Sequence, residues 1–198
     1  MRAYLGNYFL FIIVGILITS CGQRGFLGGT SKKAKIKQEV DIVVDSMNYA
    51  WNEMMKADDQ KLAYINRLLD EISYCEEYDE KTLTDLKKKH EELVAIRYKP
   101  TSMTNEEIDR YDLVTDQLIK ETLELADKTE ELESHTIVPV LKEDIVQEDA
   151  DVVVYRAKYD KWAMKYNKLI KENKNKLEKA GEPYQNMEIR PLFQLEFW

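Results

Sequence analysis

The sequence predicts an all-α protein: an antiparallel four-helix bundle of long helices, with an N-terminal lipid-anchored tether. Three observations carry this. After Gly29 no glycine occurs until Gly181, and Pro100 and Pro139 are the only prolines between them. Such a stretch is written for helices, because glycine and proline are the residues that interrupt them. Apolar residues then recur at alternating three and four, the spacing that gathers them on one helix face. Finally, the first 21 residues form a short apolar run that ends in cysteine.

Residues 1–20 read as a lipoprotein signal peptide. Arg2 is the charge of the n-region, and Phe9–Ile18 is almost wholly apolar. That run is too short for a membrane-spanning helix, which takes roughly 20 residues. Ile18-Thr19-Ser20-Cys21 resembles the bacterial lipobox. In signals of that kind the cysteine is acylated with diacylglycerol and palmitate and becomes the new N-terminus. Cys21 is therefore the expected lipidation site, and the membrane is the expected first partner. Residues 21–32 read as a flexible tether, with Gly22, Gly25, Gly28 and Gly29 and the first of several basic residues (Arg24, Lys32, Lys33, Lys35, Lys37). Against anionic headgroups each such charge is worth roughly 1 kcal/mol; in water the stretch is simply a solubilising spacer.

Residues 33–184 form the expected bundle. The first helix is expected over 33–57, with Ile36, Val40, Val43, Met47, Ala50 and Met54 on one face. Asp58-Asp59 reads as a turn before a second helix over 60–98, although the apolar phase also runs through it. Leu62, Ile65, Leu69, Ile72, Leu83, Leu86 and Leu93 form its inner face, and Pro100 ends it. Thr104-Asn105-Glu106-Glu107 has the capping-box pattern and opens a third helix over 104–133. The fourth, over 140–180, carries the best seam: Ile145, Val152, Tyr155, Tyr159, Trp162, Tyr166 and Leu169. Gly181 and Pro183 stop it. The tail over 185–198 is apolar enough (Leu192, Phe193, Leu195, Phe197, Trp198) to fold back in part onto the bundle.

The fourth helix holds a further pattern. Asp149, Val152, Arg156, Tyr159, Tyr166-Asn167 and Ile170 resemble the E-N-x-I-x-x-x-R-x-x-Y-N segment, with Y-N seven residues on, of LemA family proteins. Ala50-Trp51 is similar to an Ala-Trp in that family's first stretch, and Ile189–Gln194 lies at the place of its P-x-F-E-like ending. Asp149 and Asp160 stand where the family usually carries Glu and Asn. The resemblance implies a helical bundle, without defining a reaction.

Functional classes narrow by exclusion. The whole chain has a formal charge of −8, and loss of Arg2 with the signal makes the body one unit more acidic. Such a body repels nucleic acid. His90 and His135 are the only histidines, and neither completes the Glu-x-x-His pairs of a di-iron bundle. Two histidines and one unmodified thiol also argue against an ordinary zinc site. His90 in its Lys/Glu-rich run, and His135 beside Ser134, do not suggest a hydrolytic triad. No glycine is placed for a phosphate loop. The sequence therefore predicts no enzyme, no cofactor and no metal. Cys75 reads as a buried helical thiol. Tyr155, Tyr159, Trp162 and Tyr166 read as core or, alternatively, as an aromatic groove. Arg156 is expected to pair with Asp149 or with a carboxylate of a neighbouring helix. The leading expectation is a non-catalytic, membrane-anchored helical scaffold that docks another envelope protein. The alternative is a carrier or sensor that holds a small apolar ligand or lipid between its helices.

Overall fold

The computed structural model describes residues 32–193. The signal, Cys21, the tether up to residue 31, and Leu195, Phe197 and Trp198 lie outside the described residues. Four helices make up the body: α1 (Lys32–Ser73), α2 (Glu80–Ala95), α3 (Asn105–Lys128) and α4 (Val138–Glu178). A short 3-10 turn, Glu130–Ser134, links α3 to α4. Among the described residues no helix is long and apolar enough to cross a membrane.

Side-chain pairs set the directions. Lys33 reaches the Lys179 carbonyl, Lys61 meets Asp149 and His135 meets Glu71, so α1 and α4 run oppositely. Lys87 to Asp70 and Arg97 to Asp59 do the same for α1 and α2. Lys142 to Asp127 and Arg156 to Asp112 do so for α3 and α4.

The four helices are unequal. α1 has 42 residues and α4 has 41, against 16 for α2 and 24 for α3. At 1.5 Å per residue the long pair extends about 60 Å. The α2–α3 hairpin accompanies it over only part of that length. Beyond the hairpin, α1 and α4 continue alone and the tail takes the vacant side. Gly181, at φ +77°, turns the chain after α4, a left-handed conformation that glycine adopts without a Cβ penalty. Residues 184–193 then return along the long pair. Tyr184 reaches Asp41, Arg190 meets Asn167, and Phe193 meets Asp160.

The expected break at 57–59 is corrected, because α1 passes straight through it. Asp58 is buried, and the cations of Lys61 and Arg97 with the Tyr111 hydroxyl hold its carboxylate inside the helix packing. The real break lies at 74–79. Asp79 starts α2 by accepting from the Thr82 amide at 2.9 Å. The helices expected over 60–98 and 104–133 are therefore shorter, and α3 tightens into the 3-10 turn after Lys128. Thr104 and Glu107 do form the reciprocal capping box, at 2.9 and 3.2 Å.

The apolar faces close into one core. Val40, Val43, Ile65, Leu68, Leu69, Ile72, Leu93, Leu118 and Ile145 are fully enclosed. The expected seam of α4 is buried at Ile145, Val152, Tyr159, Tyr166 and Leu169 and departs from expectation at two positions. Ala163 takes the core position, while Trp162 and Tyr155 are only half-buried. The Lys161 and Lys165 ammonium groups lie 5.9 and 5.5 Å from the Trp162 ring centroid, as snorkelling lysines do at a core's edge.

Candidate functional site

Where the α2–α3 hairpin ends, the core of the long pair would lie open to water. Five segments converge to cover it. α1 supplies Trp51, the 96–104 loop supplies Tyr98, and α3 supplies Tyr111. α4 supplies Tyr159, and the tail supplies Phe193; all five are buried. Trp51 packs edge-on to Tyr159 at 5.2 Å and to Tyr98 at 6.1 Å, and stacks on Phe193 at 6.3 Å. Phe193 also meets Tyr98 and Tyr159 edge-on, each at 5.7 Å. Edge-to-face pairs of this kind add roughly 0.5–1.5 kcal/mol each beyond area burial.

Polar groups tie the cluster to its rim. Arg156 is 7% exposed and lies 5.0 Å from the Phe193 ring centroid. Its guanidinium donates twice to Asp112, at 2.5 and 2.6 Å, and once to the Tyr98 hydroxyl at 3.0 Å. Of the two pairings expected for Arg156, the carboxylate of a neighbouring helix is the one formed. Asp149 instead accepts from Lys61 at 3.1 Å. Arg97 links Asp59 at 2.6 Å with Asp58 at 2.8 Å.

The tail is held by its backbone. The Asn167 amide clasps Arg190 at both ends, donating to its carbonyl at 2.8 Å and accepting from its N–H at 2.7 Å. Asp160 accepts from the Phe193 amide at 2.9 Å. The Arg190 guanidinium lies 5.9 Å from the Tyr166 ring centroid. Leu192 and Phe193 thus pack on the bundle, as the sequence leads one to expect.

The structure therefore brings Trp51, Arg156 and Tyr159 into one cluster, with Tyr166 and Asn167 beside it along the tail. Ala50 and Val152 are core residues, Asp149 belongs to the Lys61 pair, and Trp162 sits at the edge. Sequence reasoning missed Asp58, Lys61, Tyr98 and Asp112. Only the 58/61 spacing on one helical face hinted at any of them.

No phenol here is poised to act as a base near neutrality. Burial pushes Tyr98 up to about 12, partly opposed by Arg156, and burial likewise pushes Tyr159 up to about 12. Burial and then Asp58 raise Tyr111 further. The cluster can clamp the tail and fix the loop, and the aromatic rings fill the space between them. A consequence follows for alkaline stability. Unfolded tyrosine ionises near 10, below the folded values. The stability contributed is complete below about pH 10 and is lost as pH rises toward about 12, by roughly 1.4 kcal/mol per pH unit for each such tyrosine. Urea midpoints measured across that window should fall steeply. A flat profile would contradict the burial of these phenols.

No family model, no curated protein and no solved structure matches this chain.

Proposed function

We propose that this chain is a non-catalytic, lipid-anchored helical scaffold of the bacterial cell envelope, similar in kind to LemA family proteins, that docks another envelope protein through the outer face of α4. One observation carries the reading. Val146, Ala150, Val153, Ala157 and Met164 share a narrow stripe on α4, at the four-three-four spacing of a helix-packing seam. Its core partners lie on the other side of the helix. Val146, Val153 and Met164 are 55%, 53% and 50% exposed, so this second seam faces solvent. An apolar row at that spacing suits a helix laid alongside it. The lipobox-like Ile18–Cys21 supports the anchor and the envelope setting, and the LemA-like residues of α4 support the bundle.

A photo-crosslinking residue at Ala150, used in the native envelope, tests this. It should trap a discrete partner. Val146→Lys with Val153→Lys should abolish the adduct. Stability should change by no more than about 1 kcal/mol, as exposed substitutions do. An adduct that survives both lysines would overturn the reading.

A second reading, carriage of a small apolar ligand, is favoured by a concavity of about 440 Å³ between the end of α4 and the tail. Ile170, Leu177, Met187 and Ile189 line it. It lies under the tail rather than between the helices, where the alternative expectation placed it. Binding of a fluorescent fatty acid that Met187→Arg abolishes would favour this reading over the scaffold.

A further inference from the structure

The far end of the bundle gathers a set of side chains that the scaffold reading does not use. Cys75 lies just past the end of α1, Glu131 lies in the 3-10 turn, and His135 follows that turn. Their donor atoms all lie within 4.8 Å of one another. Around a tetrahedral zinc-type cation, sulfur, nitrogen and oxygen ligands sit roughly 3.3–3.8 Å apart, given bonds of about 2.0–2.3 Å. Small side-chain adjustments therefore suffice to close the set.

Each of the three is already held by a second group. His135 Nδ1 lies 3.0 Å from Glu71 Oε2, and a proton shared there leaves Nε2 as the nitrogen with a free lone pair. Metal-bound histidines are oriented by a carboxylate in this way. Glu131 Oε2 accepts from the Glu76 amide at 2.7 Å, which leaves its other oxygen to ligate. The Cys75 thiol points back to the Glu71 carbonyl at 3.6 Å. Glu71 is itself buried and pinned by Arg67 at 2.6 Å, so one fixed residue orients two of the three.

The exposures also fit. Cys75 is buried, His135 is half-buried and Glu131 is exposed, so the set has a dry side and an entry side. The entry side adjoins a concavity of about 920 Å³ lined by Glu76, Glu77, Asp79, Glu121, Glu124 and Glu130, with Lys128 the only cation among the lining residues. An acidic cleft concentrates cations at its floor.

We propose that Cys75, Glu131 and His135 form a binding site for a zinc-type divalent cation, with Glu71 orienting the histidine and a fourth position open to water. On binding, the Cys75 S–H bond breaks, the sulfur–metal bond forms and the proton leaves to solvent. No electron is transferred. The mixed sulfur, nitrogen and oxygen set selects a borderline cation over magnesium or calcium, which take oxygen ligands.

Cobalt(II) reports such a site directly, since a thiolate ligand gives a charge-transfer absorption and four-coordination gives intense visible bands. The experiment uses the full chain carrying Cys21→Ser, so that Cys75 is the only thiol. One equivalent of cobalt should bind with both signatures, and zinc should displace it stoichiometrically. Cys75→Ser should remove the charge-transfer band. His135→Gln should weaken zinc binding at least tenfold. Glu131→Gln, at an exposed position, should also weaken it with helical circular dichroism unchanged, which separates ligand loss from misfolding. Cobalt bound without the thiolate band, or zinc affinity unchanged by His135→Gln, would overturn the proposal. The acidic cleft alone would then account for any uptake.

Discussion

Replacing Trp51 by alanine should lower the stability of this protein by about 3–5 kcal/mol, the range for truncating a buried Trp. The side chain is 8% exposed and touches Tyr98, Tyr159 and Phe193, which come from three different segments. Its loss leaves a void that no single helix shift can close. A domain of this size loses roughly 2–4 °C per kcal/mol, so the melting temperature should drop by on the order of 10 °C. The tail should loosen as well, because Phe193 loses its stacking partner. Limited proteolysis should then cut within residues 184–193 earlier than in the parent. Trp162→Ala is the control. That ring is half-buried beneath two lysines, so its truncation should cost about 1 kcal/mol. Equal losses at the two positions would mean that the aromatic cluster is not the keystone of the junction.

The contrast between the two tryptophans shows what periodicity can reveal. Spacing alone placed Trp162 on the α4 seam with Tyr159 and Tyr166. Tyr159 and Tyr166 are buried there, but Ala163 faces the core and the Trp162 ring moves to the rim. A stripe read from sequence has a width of about 100°, and sequence does not say which edge of the stripe the partner presses on. The direction of that press comes from α1, whose long contact with α4 is a tertiary fact. Local signals fared better. The capping box at Thr104, the stop at Gly181 and the packed Leu192 and Phe193 are each visible because their physics is confined to a few residues. Asp79 belongs to the same class. Its cap over Thr82 spans only three residues, whereas the continuity of α1 through 58–59 depends on Arg97 and Tyr111 from other segments.

The candidate sites were less legible than the fold, for the same reason. Arg156 could be read as the cation of an ion pair, but its partner Asp112 comes from another helix. The Cys75, Glu131 and His135 set is assembled from two i, i+4 pairs, Glu71 with Cys75 and Glu131 with His135, on segments far apart in the chain. Each pair alone straddles the end of its own helix and carries no signal of a shared site. Only the packing of the end of α1 against the 3-10 segment before α4 turns them toward each other.

Asp58 is the buried carboxylate on which α1, Lys61 and Arg97 converge, and its removal makes the sharpest test. Asp58→Ala should destabilise by about 3–5 kcal/mol, the cost of breaking a buried ion pair from one side. Its carboxylate lies 3.1 Å from the Lys61 ammonium and 2.8 Å from Arg97, and it also accepts from Tyr111. The Lys61 side chain is 2% exposed, so without Asp58 its charge keeps only Asp149. Asp59→Ala should cost no more than about 1 kcal/mol, since that carboxylate is 67% exposed and its pair with Arg97 is screened by water. A turn at 57–59 would treat the two aspartates alike. A double replacement separates charge from shape. Asp58→Leu with Lys61→Met removes both buried ions while keeping apolar volume, and such exchanges are often neutral or stabilising. It should recover most of what Asp58→Ala loses, measured by urea unfolding of the three variants and the parent. If the double variant stays as unstable as Asp58→Ala, then the Tyr111 and Arg97 contacts of Asp58, rather than the stranded Lys61 charge, hold α1 continuous through this point.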